Sequence, residues 1–116
     1  MAPRGSSKAR SIDHEEFIAS RYGGRRNAGS GALDRETGDV ETARQAFECK
    51  TTGEPGKPAK SSLITRMEKI TDEAQMVGKL PALALRFFAP DSPLADRKGF
   101  VDLVVRRVAD DEMDLD

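Results

Sequence analysis

Two apolar strands with one long amphipathic helix between them most strongly constrain the fold of this chain. Residues 46–52 alternate apolar and polar side chains, a pattern typical of a half-buried strand. Beyond a Gly- and Pro-rich loop, Ser61 or Ser62 is expected to cap a helix that Gly78 ends. The predicted apolar stripe of this helix consists of Leu63, Ile64, Met67, Ile70, Ala74 and Val77. Residues 82–88 then form the second strand, and a helix in this position is typical of a crossover between parallel strands.

An earlier helix is expected near the start of the chain. Ser11 or Asp13 is a suitable N-cap, and the apolar spacing continues to Tyr22, where two glycines follow. Glu15 and Glu16 would then lie in the first turn, where acidic side chains suit the helix dipole.

Shorter patterns supply the rest of a sheet. Residues 25–32 are expected to form a short strand that opens into a Gly-rich loop. Val40 is expected to lie on a hairpin partner of the strand at 46–52, and residues 100–108 form a last strand. This order predicts a small α/β domain with a mixed β-sheet flanked by helices.

Charge is distributed unevenly along the chain, although the net charge is only −1. The acidic tail, residues 109–116, holds five acids and no base, so the rest of the chain carries +4. Residues 1–11 are small, polar and basic, and we expect them to be disordered, which leaves one domain at 12–108. A cationic domain suits a polyanion such as nucleic acid, although charge clusters are also common on ordinary solvated surfaces.

The composition excludes several classes of protein. No apolar run is long enough to span a bilayer, and the N-terminus lacks the apolar core of a signal peptide. A single Cys rules out an internal disulfide, and one Cys with one His cannot build a zinc site of the usual kind. We therefore expect a cytoplasmic protein with no membrane partner.

Two acids and a lysine are spaced so that they can meet on a sheet. In a strand, Glu48 and Lys50 point to one face and the Cys49 side chain to the other. Asp39, on a neighbouring strand, can bring a second carboxylate to the same place. Two carboxylates, helped by the Cys49 backbone carbonyl, suit Mg²⁺ or Mn²⁺, with Lys50 between a water and a phosphate. The alternative is an exposed hairpin whose Glu and Lys form a weak surface pair.

The first helix offers a third carboxylate. Glu15 is the candidate, and Glu16 would serve instead if the helix were rotated; acids near a helix start are also common without any function. His14 is expected on the surface, because nothing near it in sequence suggests a proton relay. Cys49 is expected to be a small buried apolar residue rather than a nucleophile.

A basic and Gly-rich segment follows the first helix. Arg25 and Arg26 precede Gly29, Ser30 and Gly31, and glycine amides can approach a phosphate backbone closely. The segment lacks the lysine of a nucleotide-binding P-loop, and Gly-Ser-Gly alone is usually a flexible turn.

Taken together, these segments resemble the PD-(D/E)XK nuclease superfamily, which has the restriction-endonuclease-like fold. The chain looks most like the Holliday-junction resolvases of archaea and their phage-encoded relatives. The resemblance rests on the helix glutamate, on Arg25–Ala32, on Gly38-Asp39-Val40 and on Phe47–Thr52, and it covers roughly residues 12–108. It departs from the family at Gly38, which stands where the family has the proline that names the motif, a position that supplies no ligand.

The resemblance implies a role for each matching residue. Asp39 and Glu48 match the metal-binding acids, Lys50 the superfamily lysine, and Glu15 the glutamate of the first helix. Ser30, between Gly29 and Gly31, matches a loop serine near the metal, and Arg25 and Arg26 fall where the family binds the DNA backbone.

The function implied is a Mg²⁺-dependent endonuclease that cuts four-way DNA junctions as a homodimer, in the host cytoplasm if the chain is phage-encoded. A nicking or restriction-type enzyme that acts on duplex DNA has the same fold and is one alternative. A DNA-binding module that has lost the chemistry is another, and an α/β protein that binds only other proteins is the broadest.

Overall fold

The computed structural model of the chain describes residues 7–27, 38–52 and 60–112. Two helices and five strands account for most of this part, together with one short 3₁₀ turn at Val108–Glu112. In chain order the elements are α1 (Ser7–Tyr22), β1 (Arg25–Arg26), β2 (Val40–Glu41), β3 (Gln45–Thr52), α2 (Lys60–Met76), β4 (Leu80–Phe88) and β5 (Phe100–Val105).

The five strands form one mixed sheet in the order β1-β2-β3-β4-β5. β3 and β4 are parallel, and the other neighbours are antiparallel. The predicted hairpin and the predicted parallel pair joined by a helix are therefore both confirmed, as is the expectation of an α/β domain with a mixed sheet.

The core has two layers because a helix covers each face of the sheet. On the α1 face, Ile18 packs with Val40, Phe47 and two alanines of β4. On the α2 face, Ile70 and Ala74 pack with three further residues of β4, namely Leu83, Leu85 and Phe87. β4 is therefore buried on both sides, which explains its almost continuous apolar sequence.

The first helix is longer than predicted. It begins at Ser7 rather than at Ser11 or Asp13, so the last five residues of the segment expected to be disordered, residues 7–11, are helical. Ala and Arg favour the helix here, and Ala9 and Ser11 of the added segment are half-buried. The expectation that Glu15 lies in the first turn is also wrong, because Glu15 is in the middle of α1.

The second helix begins at Lys60, so Ser61 and Ser62 lie within it and neither is its N-cap as predicted. Its end agrees with the prediction, since it stops at Met76 and Gly78 follows at a φ of +68°. Four of the six predicted stripe residues face the sheet: Leu63, Met67, Ile70 and Ala74. Ile64 is 64% exposed, because it lies about 100° around the helix from Leu63. Val77 is exposed as well, since it comes after the last helical residue.

The end of the described chain is more ordered than the sequence suggests. β5 ends at Val105, three residues earlier than predicted. Asp110, which the sequence placed in the acidic tail, is buried and accepts two hydrogen bonds of 3.0 Å from the Arg107 guanidinium. Neither helix in the described part of the chain is long and apolar enough to cross a membrane.

Candidate active site

Asp39 immediately precedes β2 and is held between β3 and the residue that follows β1 by three hydrogen bonds. Its N–H donates to Phe47 O (2.8 Å), and its carbonyl accepts from the Asn27 N–H (2.8 Å). Its carboxylate Oδ2 accepts from the Cys49 N–H at 2.9 Å. The strand pairing of β2 with β3 begins at Val40. Just before it, the Asp39 carboxylate accepts the hydrogen bond from the Cys49 N–H that a backbone carbonyl would otherwise accept.

The Cys49 carbonyl points toward the Asp39 side of β3. In an extended strand, the N–H and C=O of one residue point the same way. Because the Cys49 N–H donates to Asp39, the Cys49 C=O also points to the β2 side of β3, away from β4. The Cys49 side chain packs in the α1 layer, and burial raises the pKa of its thiol far above its usual range, as expected of a packing residue.

Glu48 lies on the α2 face of β3 and is only 7% exposed. Lys69 Nζ lies 3.4 Å from both of its carboxylate oxygens, and Arg66 Nη1 lies 3.5 Å from Oε2. Burial raises the pKa of Glu48, the nearby charge of Asp39 raises it further, and Lys69 opposes both. The two acids predicted to bind metal are therefore close enough to repel each other.

A chain of contacts joins α2 to the segment that carries Asp39. The Gly38 N–H donates to Glu73 Oε1 at 2.9 Å, and Glu73 forms an ion pair with Lys69 at 3.5 Å. Sequence reasoning missed Arg66, Lys69 and Glu73. Their spacing of three and four places them on one helix face, but only the packing of α2 shows that this face meets Glu48.

Position 38, where the nuclease family that the sequence resembles has proline, is occupied by glycine for a structural reason. Gly38 has a φ of +69°, a conformation closed to proline, and its N–H is used by Glu73. A β-carbon here would lie 2.6 Å from Phe47 O and 2.8 Å from Ile70 Cδ1. Glycine is therefore required where the family has proline.

Glu15 approaches the same region from α1. Its Oε1 accepts a hydrogen bond of 2.8 Å from Arg26 Nε. Burial raises the pKa of Glu15, the Arg26 hydrogen bond lowers it, and the charge of Asp39 raises it. Glu16 is exposed and lines a separate cleft with Phe17 and Lys98, so Glu15 is the acid of this helix that faces Asp39.

The predicted phosphate-binding residues are only partly described. Arg25 has a side chain that is 71% exposed and lies 3.9 Å from Glu41, whereas Arg26 is half-buried and paired with Glu15. The predicted contacts of Gly29, Ser30 and Gly31 lie outside the described residues.

The predicted site residues are only partly assembled. Lys50 is exposed on β3, two residues beyond Glu48. Within 7–27, 38–52 and 60–112, no group of three or more His, Cys, Asp or Glu side chains is arranged to hold a metal ion. Glu15 is thus not brought into one ligand group with Asp39 and Glu48, and two carboxylates and a backbone carbonyl remain as candidate ligands.

His14 is not on the surface as predicted, since none of it is exposed. It faces the sheet from α1, and its Nδ1 shares a hydrogen bond of 2.9 Å with Thr51 Oγ1. Burial and the nearby Arg86 lower the pKa of His14 to about 4, against the opposing effect of Asp102. Sequence reasoning missed this environment because Thr51, Arg86 and Asp102 lie on strands that are distant from His14 in the chain.

Comparison of the chain with protein-family models, curated proteins and solved structures gives no match.

Proposed function

We propose that this chain is a metal-dependent, structure-selective DNA endonuclease with a restriction-endonuclease-like core, of the Holliday-junction resolvase type. The observation that carries the proposal is the arrangement of two acids at the β2–β3 hairpin. There the Asp39 carboxylate is fixed on the Cys49 N–H beside the buried carboxylate of Glu48. The order of a helix, a hairpin, a crossover helix and a parallel strand supports the same core.

The donor set fits a hard divalent cation such as Mg²⁺, with Mn²⁺ as a substitute. Asp39, Glu48 and the Cys49 carbonyl offer oxygen atoms, which these ions prefer. Burial and the nearby charge of Asp39 raise the pKa of Glu48, and Lys69 and Arg66 already lie against its carboxylate. A bound cation would lower the pKa of a water and neutralise charge on the scissile phosphate.

The remaining residues act on the DNA itself. Lys50 is exposed beside Glu48, where its ammonium can stabilise charge on a phosphate or orient the attacking water. Arg25 is exposed and suits a backbone phosphate, and Arg26 sets the position of Glu15 through their ion pair. The Gly29-Ser30-Gly31 segment is proposed to approach the same phosphates.

A two-fold dimer acting in the cytoplasm completes the proposal. One chain contributes one site of this kind, and resolution of a four-way junction needs two symmetric cuts. Isologous dimers are the simplest way to present two sites in this relation.

Cleavage of a synthetic four-way junction with Mg²⁺ tests the assignment. Asp39→Asn and Lys50→Ala should each lower the cleavage rate by roughly a hundredfold or more, since each removes charge from the transition state. Junction binding should change little. Asp91→Asn and Lys98→Ala make the same chemical changes on exposed positions of the β4–β5 loop and should cleave normally.

Cleavage at the wild-type rate by either Asp39→Asn or Lys50→Ala would reject the catalytic assignment. Parallel assays on flap and linear duplex substrates separate a junction resolvase from a nicking or restriction-type enzyme of the same fold.

A DNA-binding module without catalytic activity is the second candidate. It is favoured by the internal pairing of the acids, since Glu48 is held by Lys69 and Arg66 and Glu15 by Arg26. Binding that weakens steeply with salt, with no cleavage in either Mg²⁺ or Mn²⁺, would support this candidate. Binding that does not respond to salt would instead indicate a protein partner.

A further inference from the structure

Two cationic side chains of α2 lie against the carboxylate of Glu48, which the proposed metal site needs. Lys69 Nζ is 3.4 Å from both oxygens of Glu48, and Arg66 Nη1 is 3.5 Å from one of them. The Glu48 side chain is 9% exposed, so its negative charge requires a partner inside the protein. In the absence of a metal, these two side chains provide it.

Lys69 is the more easily displaced of the two. Its side chain is 60% exposed, whereas that of Arg66 is 32% exposed. Lys69 also has a second partner, since its Nζ lies 3.5 Å from Glu73 one helical turn away. The ammonium can therefore leave Glu48 for Glu73 or for solvent without a change in the backbone.

We propose that Lys69 is a built-in competitor for the divalent cation, which neutralises Glu48 in the metal-free protein and is displaced when the metal binds. The inference rests on the proposed metal site of Asp39 and Glu48. Lys69 is a helix residue outside the motif, and its proposed role predicts the direction in which its removal changes the affinity for metal. Removing a competing cation tightens metal binding, whereas removing a residue that merely positions Glu48 weakens it.

Calorimetric titration of the DNA-free protein with MnCl₂ tests the direction of this change in affinity. Lys69→Met keeps the apolar stem and removes the charge, and it should bind Mn²⁺ roughly three- to tenfold more tightly than wild type, with a smaller difference at high salt. Lys69→Arg keeps the positive charge and should bind Mn²⁺ as wild type does. Lys98→Met removes the same charge from an exposed loop and should leave the affinity unchanged, which controls for net charge.

Two failures can be told apart. Equal or weaker Mn²⁺ binding by Lys69→Met, with wild-type binding that Asp39→Asn abolishes, overturns the competitor role but leaves the metal site in place. Wild-type protein that does not bind Mn²⁺, or binds it as well after Asp39→Asn, removes the metal site and the competitor role together. As a second readout, the NMR signal of the Lys69 side chain should shift on Mg²⁺ addition in wild type and not in Asp39→Asn.

Discussion

Gly38 links the backbone conformation of the chain to the geometry of the candidate site, because it directly precedes Asp39. Its φ of +69° turns the chain into β2, and its N–H reaches Glu73. The absence of a side chain lets Phe47 and Ile70 close over it. The position of Asp39 therefore depends on a residue that supplies no ligand.

Gly38→Ala should lower the free energy of unfolding by about 2 to 4 kcal/mol, because left-handed strain and a clash with Phe47 O combine. Gly78→Ala is the matched control. Its φ is +68°, but a β-carbon there would meet nothing within 4 Å, so it should cost only about 1 kcal/mol. Urea denaturation measures both, and equal losses would contradict the packing argument.

Helix α1 is joined to the sheet through a buried polar contact as well as through its apolar side. His14 meets Thr51 of β3, and its Nε2 lies 4.0 Å from Asp102 of β5. Asp102 in turn pairs with Arg86 of β4 at 2.7 Å. This contact joins α1 to the sheet at the residue that directly precedes Glu15.

The pKa of His14 makes this contact sensitive to acid. Its pKa is about 4 in the folded protein against an ordinary value of 6.5, so the unfolded chain binds the extra proton first as pH falls. The stability that His14 contributes is fully present above its pKa in the unfolded chain. It is lost as the pH falls toward its pKa in the folded protein. Wild type should therefore lose about 2 kcal/mol between pH of about 7 and about 5 through this group.

His14→Gln should lack this loss, because its amide does not titrate. The comparison is the difference in urea midpoint between wild type and His14→Gln across that pH range, in which the shifts of Glu15 and Glu48 are common to both. Parallel pH curves for the two proteins would show that His14 does not titrate as argued.

Within the part of the chain that the structure describes, an apolar surface is exposed at the β5 edge of the sheet. Among the described strands β5 is paired only with β4, and Leu103 and Val105 on its α2 face are exposed. Ile64 and Met67 of α2 line a cleft with Arg107 beside this strand. An edge strand with an apolar face can pair with a second copy around a two-fold axis, which suits the proposed dimer.

Wild type should sediment at twice the 12.7 kDa chain mass at tens of micromolar, and Leu103→Lys should give a monomer at the same concentration. Leu94→Lys makes the same change at an exposed residue of the β4–β5 loop and should remain dimeric. Analytical ultracentrifugation decides this point. A monomeric wild type would remove the dimer from the proposal, and a dimeric Leu103→Lys would place its surface elsewhere.

Much of the fold was predictable because its signals are local. The alternation of residues 46–52 and the apolar run at 82–88 predicted two strands, and the helix between them predicted that they are parallel. The start of α1 and the exposure of Ile64 were not predicted. A helix end depends on weak propensities, and burial depends on which neighbours reach the side chain.

The sequence by itself determined the α/β architecture and the placing of Asp39 just before β2 and of Glu48 and Lys50 on the adjoining β3, because periodicity and short spacing are properties of the chain. Tertiary structure alone decided which charges meet. It placed Lys69 and Arg66 of α2 on Glu48, Arg26 on Glu15, and His14 among residues of β3, β4 and β5. Partners so far apart in sequence leave no local pattern, and only the packing of two helices on opposite faces of one sheet brings them together.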